Sequence, residues 1–104
     1  MTKLEIIESP KNYYTLQGKL NRNSIPKSAA LAKFEQDIQG NSSVNVATLD
    51  MSDVTDSDTA GLAWLMNLLK STRQQDIHFE LKHIPESLIK LAKISDVDGF
   101  LSVQ

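Results

Sequence analysis

Cysteine is absent from the sequence, which excludes disulfides, thiolate nucleophiles and zinc-thiolate centres and fits a reducing cytoplasm. Long apolar runs are also missing: none approaches the roughly 20 residues needed to cross a bilayer. Met1-Thr2-Lys3-Leu4-Glu5 lacks the charged start and apolar core of a secretion signal. The expected location is therefore cytoplasmic, with any membrane association made through partners. Glycine is sparse, and its 4 copies build no phosphate-cradling loop, so no nucleotide site of the chain's own is expected. Positive charge is not in excess. With a formal net charge of -2 and 11 scattered basic residues, the chain has no electrostatic footprint for nucleic acid.

What remains is the composition of an ordinary globular domain. At 104 residues, 40% hydrophobic and 23% charged, the chain can bury one core and is too short for two. A single domain spanning 1–104 is expected. Leu4-Glu5-Ile6-Ile7 and Tyr13-Tyr14-Thr15-Leu16 are β-prone runs parted by the turn-forming Ser9-Pro10-Lys11-Asn12, which predicts an opening hairpin. A first helix is predicted from Pro26 to Gln39, with Ala30, Leu31, Phe34 and Ile38 on one face and Gly40-Asn41 as its stop. Val44, Val46, Ala47, Leu49 and Met51 predict a central strand, and a polar loop through Asp56 and Ser57 should follow it. Gly61 to Lys70 predicts a second helix, with Arg73 near its end. Ile77, Phe79 and Leu81 alternate with polar residues as in a strand with one buried face. Pro85 opens a third helix with Leu88, Leu91 and Ala92 inward, and the tail from Val97 to Val103 is too short to assign. The fold class is α/β: a mixed sheet of about four to five strands covered by helices.

The stretch from Asp50 to Thr59 carries four carboxylates within nine residues, at Asp50, Asp53, Asp56 and Asp58. Metal chemistry is tested first and fails. A calcium loop starting at Asp56 would place Ala60 and Asn67 where ligands are needed. A magnesium-dependent phosphatase needs further carboxylates and a larger domain. His78 and His83, five apart in and just after a strand, point to opposite faces and cannot readily share a metal. No cofactor, metal or catalytic set is expected. The acids read instead as caps: Ser57 or Asp58 can accept the free N–H groups of the following helix, where negative charge is favoured by the dipole. Gly61 inside that first turn costs roughly 1 kcal/mol against Ala, so something is expected to pack closely there.

Thr48-Leu49-Asp50-Met51-Ser52-Asp53-Val54 followed by Asp58-Thr59-Ala60-Gly61-Leu62-Ala63 resembles the strand-loop-helix segment of the STAS domain, shared by sulfate transporters and anti-sigma factor antagonists. Gly18-Lys19-Leu20-Asn21 looks like the family's Gly-x-Leu-Asp segment, with Asn21 in place of the acid. The resemblance implies a non-catalytic interaction domain. In regulatory members the hydroxyl residue after the motif Asp is phosphorylated, which makes Thr59 a possible phosphoacceptor and an anti-sigma factor and a serine kinase the implied partners. Gly61-Leu62-Ala63-Trp64-Leu65 and Leu91-Ala92-Lys93-Ile94-Ser95-Asp96-Val97 look more like the small cytoplasmic STAS subunit of Mla phospholipid-transport complexes, which maintain outer-membrane lipid asymmetry. That branch implies an ABC-transporter ATPase as partner, with Thr59 at the contact.

Helical geometry bears on the same surface. Leu62, Leu65, Met66 and Leu69 make one apolar stripe, whereas Gly61, Trp64 and Leu68 fall on another face. Either a second helix of the domain covers that face, or it is a partner patch. The expected partner-binding residues are Asp58, Thr59, Ala60, Gly61, Trp64 and Leu68. On the patch reading, Trp64→Ala should leave the monomer folded and weaken ATPase binding.

Overall fold

The computed structural model describes residues 4–9, 11–40 and 46–97. Strands β1 (Glu5–Glu8) and β2 (Tyr13–Leu20) form the expected antiparallel hairpin, with Ile6 opposite Leu16. Asn12 turns the chain at φ 67°, a left-handed conformation that Asn tolerates better than most side chains. Its N–H donates to the Glu8 carboxylate at 2.8 Å.

Pro26 does not open the first helix. It lies in a 3-10 turn, Ile25–Lys27, and helix α1 runs from Ala29 to Gly40. The break falls at Ser28, whose backbone is extended and whose hydroxyl accepts the Leu31 N–H at 3.1 Å. A serine able to cap a helix start outcompetes continuation from the proline turn. Leu31, Phe34 and Ile38 are buried as their spacing predicts. Asn41, Val44 and most of the tail lie outside the described residues.

Strand β3 (Val46–Ser57) lies between β2 and β4 (His78–Lys82) and is parallel to both. It is longer than expected. The stretch read as a loop stays extended to Ser57 because β2 continues beside it, pairing Gly18 with Val54 and, after a register shift, Leu20 with Ser57. The strand is central as expected, and its two faces differ. Ala47, Leu49 and Met51 are buried, Thr48 and Asp50 are half-buried, and Val46 is 52% exposed. That alternation belongs to a sheet packed on one side and wet on the other.

Helices α2 (Thr59–Gln74) and α3 (Glu86–Ile94) complete the order. Leu65 and Leu68 of α2, Leu88 and Ala92 of α3, and Leu31, Phe34 and Ile38 of α1 join Tyr14, Leu16, Leu20, Leu49 and Met51 of the sheet in one core cluster. Leu91, expected to point inward, is half-buried and packs against this cluster. The result is two layers: a four-stranded mixed sheet with three helices sharing its apolar face. Among the described residues, no helix is long and apolar enough to cross a membrane.

Candidate protein-docking site

The C-terminal end of β3 delivers Ser57 and Asp58 to the start of α2. Asp58 is the N-cap, extended at φ -139°, with one carboxylate oxygen accepting from the Ala60 and Gly61 N–H groups at 3.0 and 3.1 Å. Its other oxygen accepts the Arg22 N–H at 3.2 Å and faces the Arg22 Nε at 3.5 Å. One side chain thus ties the β2–α1 connection to the first turn of α2. Burial pushes the Asp58 carboxyl up, but the N–H groups of Arg22, Gly61 and Ala60, with the Arg22 side chain, outweigh it and hold the pKa below its ordinary value.

The sign follows from linkage. A depressed folded-state pKa contributes stability above the unfolded carboxyl value of about 3.9, and that contribution is lost as pH falls through the lower folded value. Asp58→Ala is expected to cost about 0.5–2 kcal/mol at pH 7. Asp58→Asn keeps a cap acceptor but no charge, so urea melts at pH 7 and pH 3 should show a smaller acid loss for it than for the parent. An equal acid loss would assign the effect to other carboxylates.

The neighbouring acids each have a partner of their own. Asp50 accepts the Tyr13 hydroxyl at 2.6 Å and the Ser52 N–H at 2.9 Å. Asp53 faces Gln17 at 3.5 Å, and Asp56 accepts the Asn21 side-chain amide at 3.2 Å. Among the described residues, no three His, Asp or Glu side chains gather as a metal site. Asn21 also accepts the N–H groups of Asn23 and Ser24, both at 3.0 Å. An aspartate at 21 would set its carboxylate against that of Asp56, so the amide suits this loop.

The six expected docking residues divide. Thr59, first residue of α2, is exposed, Ala60 is half-buried and Asp58 is the cap. Gly61, Trp64 and Leu68 are buried, which corrects the expectation of an open patch. A Cβ built on Gly61 would lie 2.4 Å from the Leu20 carbonyl oxygen, so the close neighbour is the end of β2 and not a partner. Trp64 and Leu68 are 7% and 4% exposed. The Trp64 ring lies 6.4 Å from that of Phe34, and its Nε1–H donates to Glu35 at 2.9 Å. Helix α1 is therefore the cover that the second apolar face of α2 required. The surface left open is the ridge Thr59, Ala63, Asn67 and Lys70. Sequence reasoning missed Ala63, although its place four residues beyond Thr59 puts it on the same face. It also missed Arg22, whose contact with Asp58 spans 36 residues and has no local signal.

An antiparallel hairpin leading into parallel β2, β3 and β4, with a capped helix leaving the end of β3, is an α/β fold of the anti-sigma factor antagonist type. The unphosphorylated anti-sigma factor antagonist SpoIIAA matches it with a TM-score of 0.63, over 88% of this chain and 82% of that one, at 13% identity. A crystal structure of Mglu matches with a TM-score of 0.56 at 14% identity, over 78% of this chain but only 19% of that one. At such identities the likeness is one of fold. A family model described as "Mlab, STAS domain" matches residues 15–103, and the chain belongs to the STAS domain family. No curated protein matches the chain.

Proposed function

We propose that the chain is a non-catalytic docking subunit that binds and stabilises the ATPase of an Mla-type phospholipid ABC transporter maintaining outer-membrane lipid asymmetry, with the nucleotide chemistry done by that ATPase. The observation that carries this reading is the exposed Thr59 at the head of a helix whose first turn is fixed by Asp58. A hydroxyl on a rigid capped turn, beside the small Ala60 and Ala63, lets another protein approach the backbone and hydrogen-bond to it. The "Mlab" description of the matching family supports the transport branch. On this reading the chain is cytoplasmic and reaches the inner face of the inner membrane through its complex.

The test is co-purification with an ABC-transporter ATPase from the native cell, followed by titration of Thr59 variants. Thr59→Glu places a charge where the helix dipole favours it, by about 0.3–1 kcal/mol, so the fold should not suffer. Affinity for the ATPase should fall at least tenfold, because the longer carboxylate removes the hydroxyl and fills the space beside Ala60 and Ala63 through which the partner approaches. An unchanged affinity would refute docking at Thr59.

A second reading is favoured by the fold shared with SpoIIAA: an anti-sigma factor antagonist switched by phosphorylation of Thr59. A phosphate would add about -1.5 to -2 charges at the helix start and break a docked complex through repulsion. Stoichiometric phospho-Thr59 in protein from its native cell, together with capture of a serine kinase, would select this reading over the first.

A further inference from the structure

Arg22 is bound at the head of α2 in two unequal ways. Its backbone N–H donates to the Asp58 carboxylate at 3.2 Å, whereas its guanidinium meets the same oxygen through Nε at 3.5 Å. The Arg22 side chain is 77% exposed, and an exposed ion pair of this kind contributes little. Asp58 does not depend on it. The two carboxylate oxygens already accept three backbone N–H groups, those of Ala60, Gly61 and Arg22 itself. The guanidinium can therefore leave Asp58 while the cap and the fixed turn stay in place.

Exposed Thr59 follows Asp58 directly, with Cα atoms about 3.8 Å apart. The other charges at this end are known from their contacts. Asp56 is bonded to the neutral Asn21 amide. Ser57 meets Ser87 of α3 at 2.8 Å, which puts the head of α3 alongside, with its own pair of Glu86 and Lys90 at 3.5 Å. A phosphate on Thr59 would bring about -1.5 to -2 charges and three strong acceptor oxygens. Against it, Asp58 offers a single charge already filled by N–H donors. A planar guanidinium engages a phosphate through two parallel bonds, a geometry that the one-atom contact with Asp58 lacks.

We propose that Arg22 receives a phosphate placed on Thr59, its guanidinium moving from Asp58 to the phosphate while Asp58 keeps its backbone N–H groups. The inference rests on the second reading above, in which Thr59 is the modified hydroxyl. There a partner kinase transfers the γ-phosphoryl of a nucleoside triphosphate: the Thr59 Oγ1–P bond forms, the bridging P–O bond breaks to leave the diphosphate, and the hydroxyl proton passes to the kinase. What Arg22 adds is a seat for the product. The phosphate is tied back to the β2–α1 turn, so a partner meets an ordered ion pair where it had met a small hydroxyl.

The test is phosphorus NMR of the full chain carrying phosphothreonine installed at position 59, titrated through the second phosphate ionisation near about pH 6. A cation in contact favours the dianion and lowers that pKa. Arg22→Gln should therefore raise it by about 0.5 unit, and Arg22→Lys should recover part of the difference. The Arg22 Nε–H resonance should move with the same titration, while the Ala60 and Gly61 amides stay protected from exchange. Arg22→Gln changes an exposed side chain and leaves the backbone N–H, and a thermal melt checks the fold. An equal phosphate pKa in parent and Arg22→Gln, or an equal rise in Lys90→Gln, would overturn the proposal. So would lost protection at Ala60 and Gly61, which would mean that the phosphate had displaced the Asp58 cap. Native protein that never carries phospho-Thr59 would sink the switch reading but leave these titrations unchanged, so the two failures are distinguishable.

Discussion

Gly61→Ala is expected to destabilise the domain by about 1–3 kcal/mol, the usual range for overpacking a closed interior. In an open helix the same change would stabilise by up to about 1 kcal/mol, since Ala is the better helix former. The sign is decided by the Leu20 carbonyl oxygen, 2.4 Å from where the new Cβ would sit, with the Leu20 Cγ at 3.2 Å. Leu20 is the last residue of β2 and fully buried, so relief requires α2 to lift from the sheet. In a domain of this size the loss corresponds to roughly 5–20 °C in Tm. A thermal melt measures it, and a melting point equal to or above the parent's would show that α2 can shift freely.

Trp64→Ala should cost more, about 3–5 kcal/mol, as for a large aromatic removed from a core. Trp64 packs near Phe34, which in turn meets Tyr14 edge-on at 4.9 Å and Phe79 at 6.3 Å. Removing it hollows the junction where α1 meets α2. Against a total stability of about 5–15 kcal/mol for an ordinary domain, the variant is expected to be marginal or unfolded at 37 °C. Trp64→Phe retains most of the apolar area and loses the bond to Glu35, so it should cost far less. Urea unfolding of the pair checks the argument. A Trp64→Ala protein as stable as its parent would mean that α1 does not seal this face.

The contrast with an interface tryptophan shows where the sequence was legible and where it was not. Periodicity located α1 and β4, because Leu31, Phe34 and Ile38, or Phe79 and Leu81, repeat at the period of their element, while turn residues, β-prone runs and helix formers placed the other elements in order. It also showed that α2 has two apolar faces. What it could not show was which neighbour covers the second face, since Trp64 meets Glu35 across 29 residues of chain and no local pattern records that meeting. The end of β3 was hidden for a similar reason: Asp53 to Ser57 look like a loop until β2 supplies their backbone partners. Asp58 was readable as the cap because capping is local chemistry. Gly61 signalled a close approach, though the approaching atom proved to belong to the domain itself.

The single core has a thermodynamic consequence. Among the described residues all three helices share one core cluster with the sheet, so these elements should unfold in a single cooperative event. Any protein that grips only the folded form at the head of α2 adds RT ln(1 + [L]/Kd) to the whole domain, about 2.7 kcal/mol at a hundredfold excess over Kd. Occupancy of a few exposed atoms is thereby registered in every strand of the molecule.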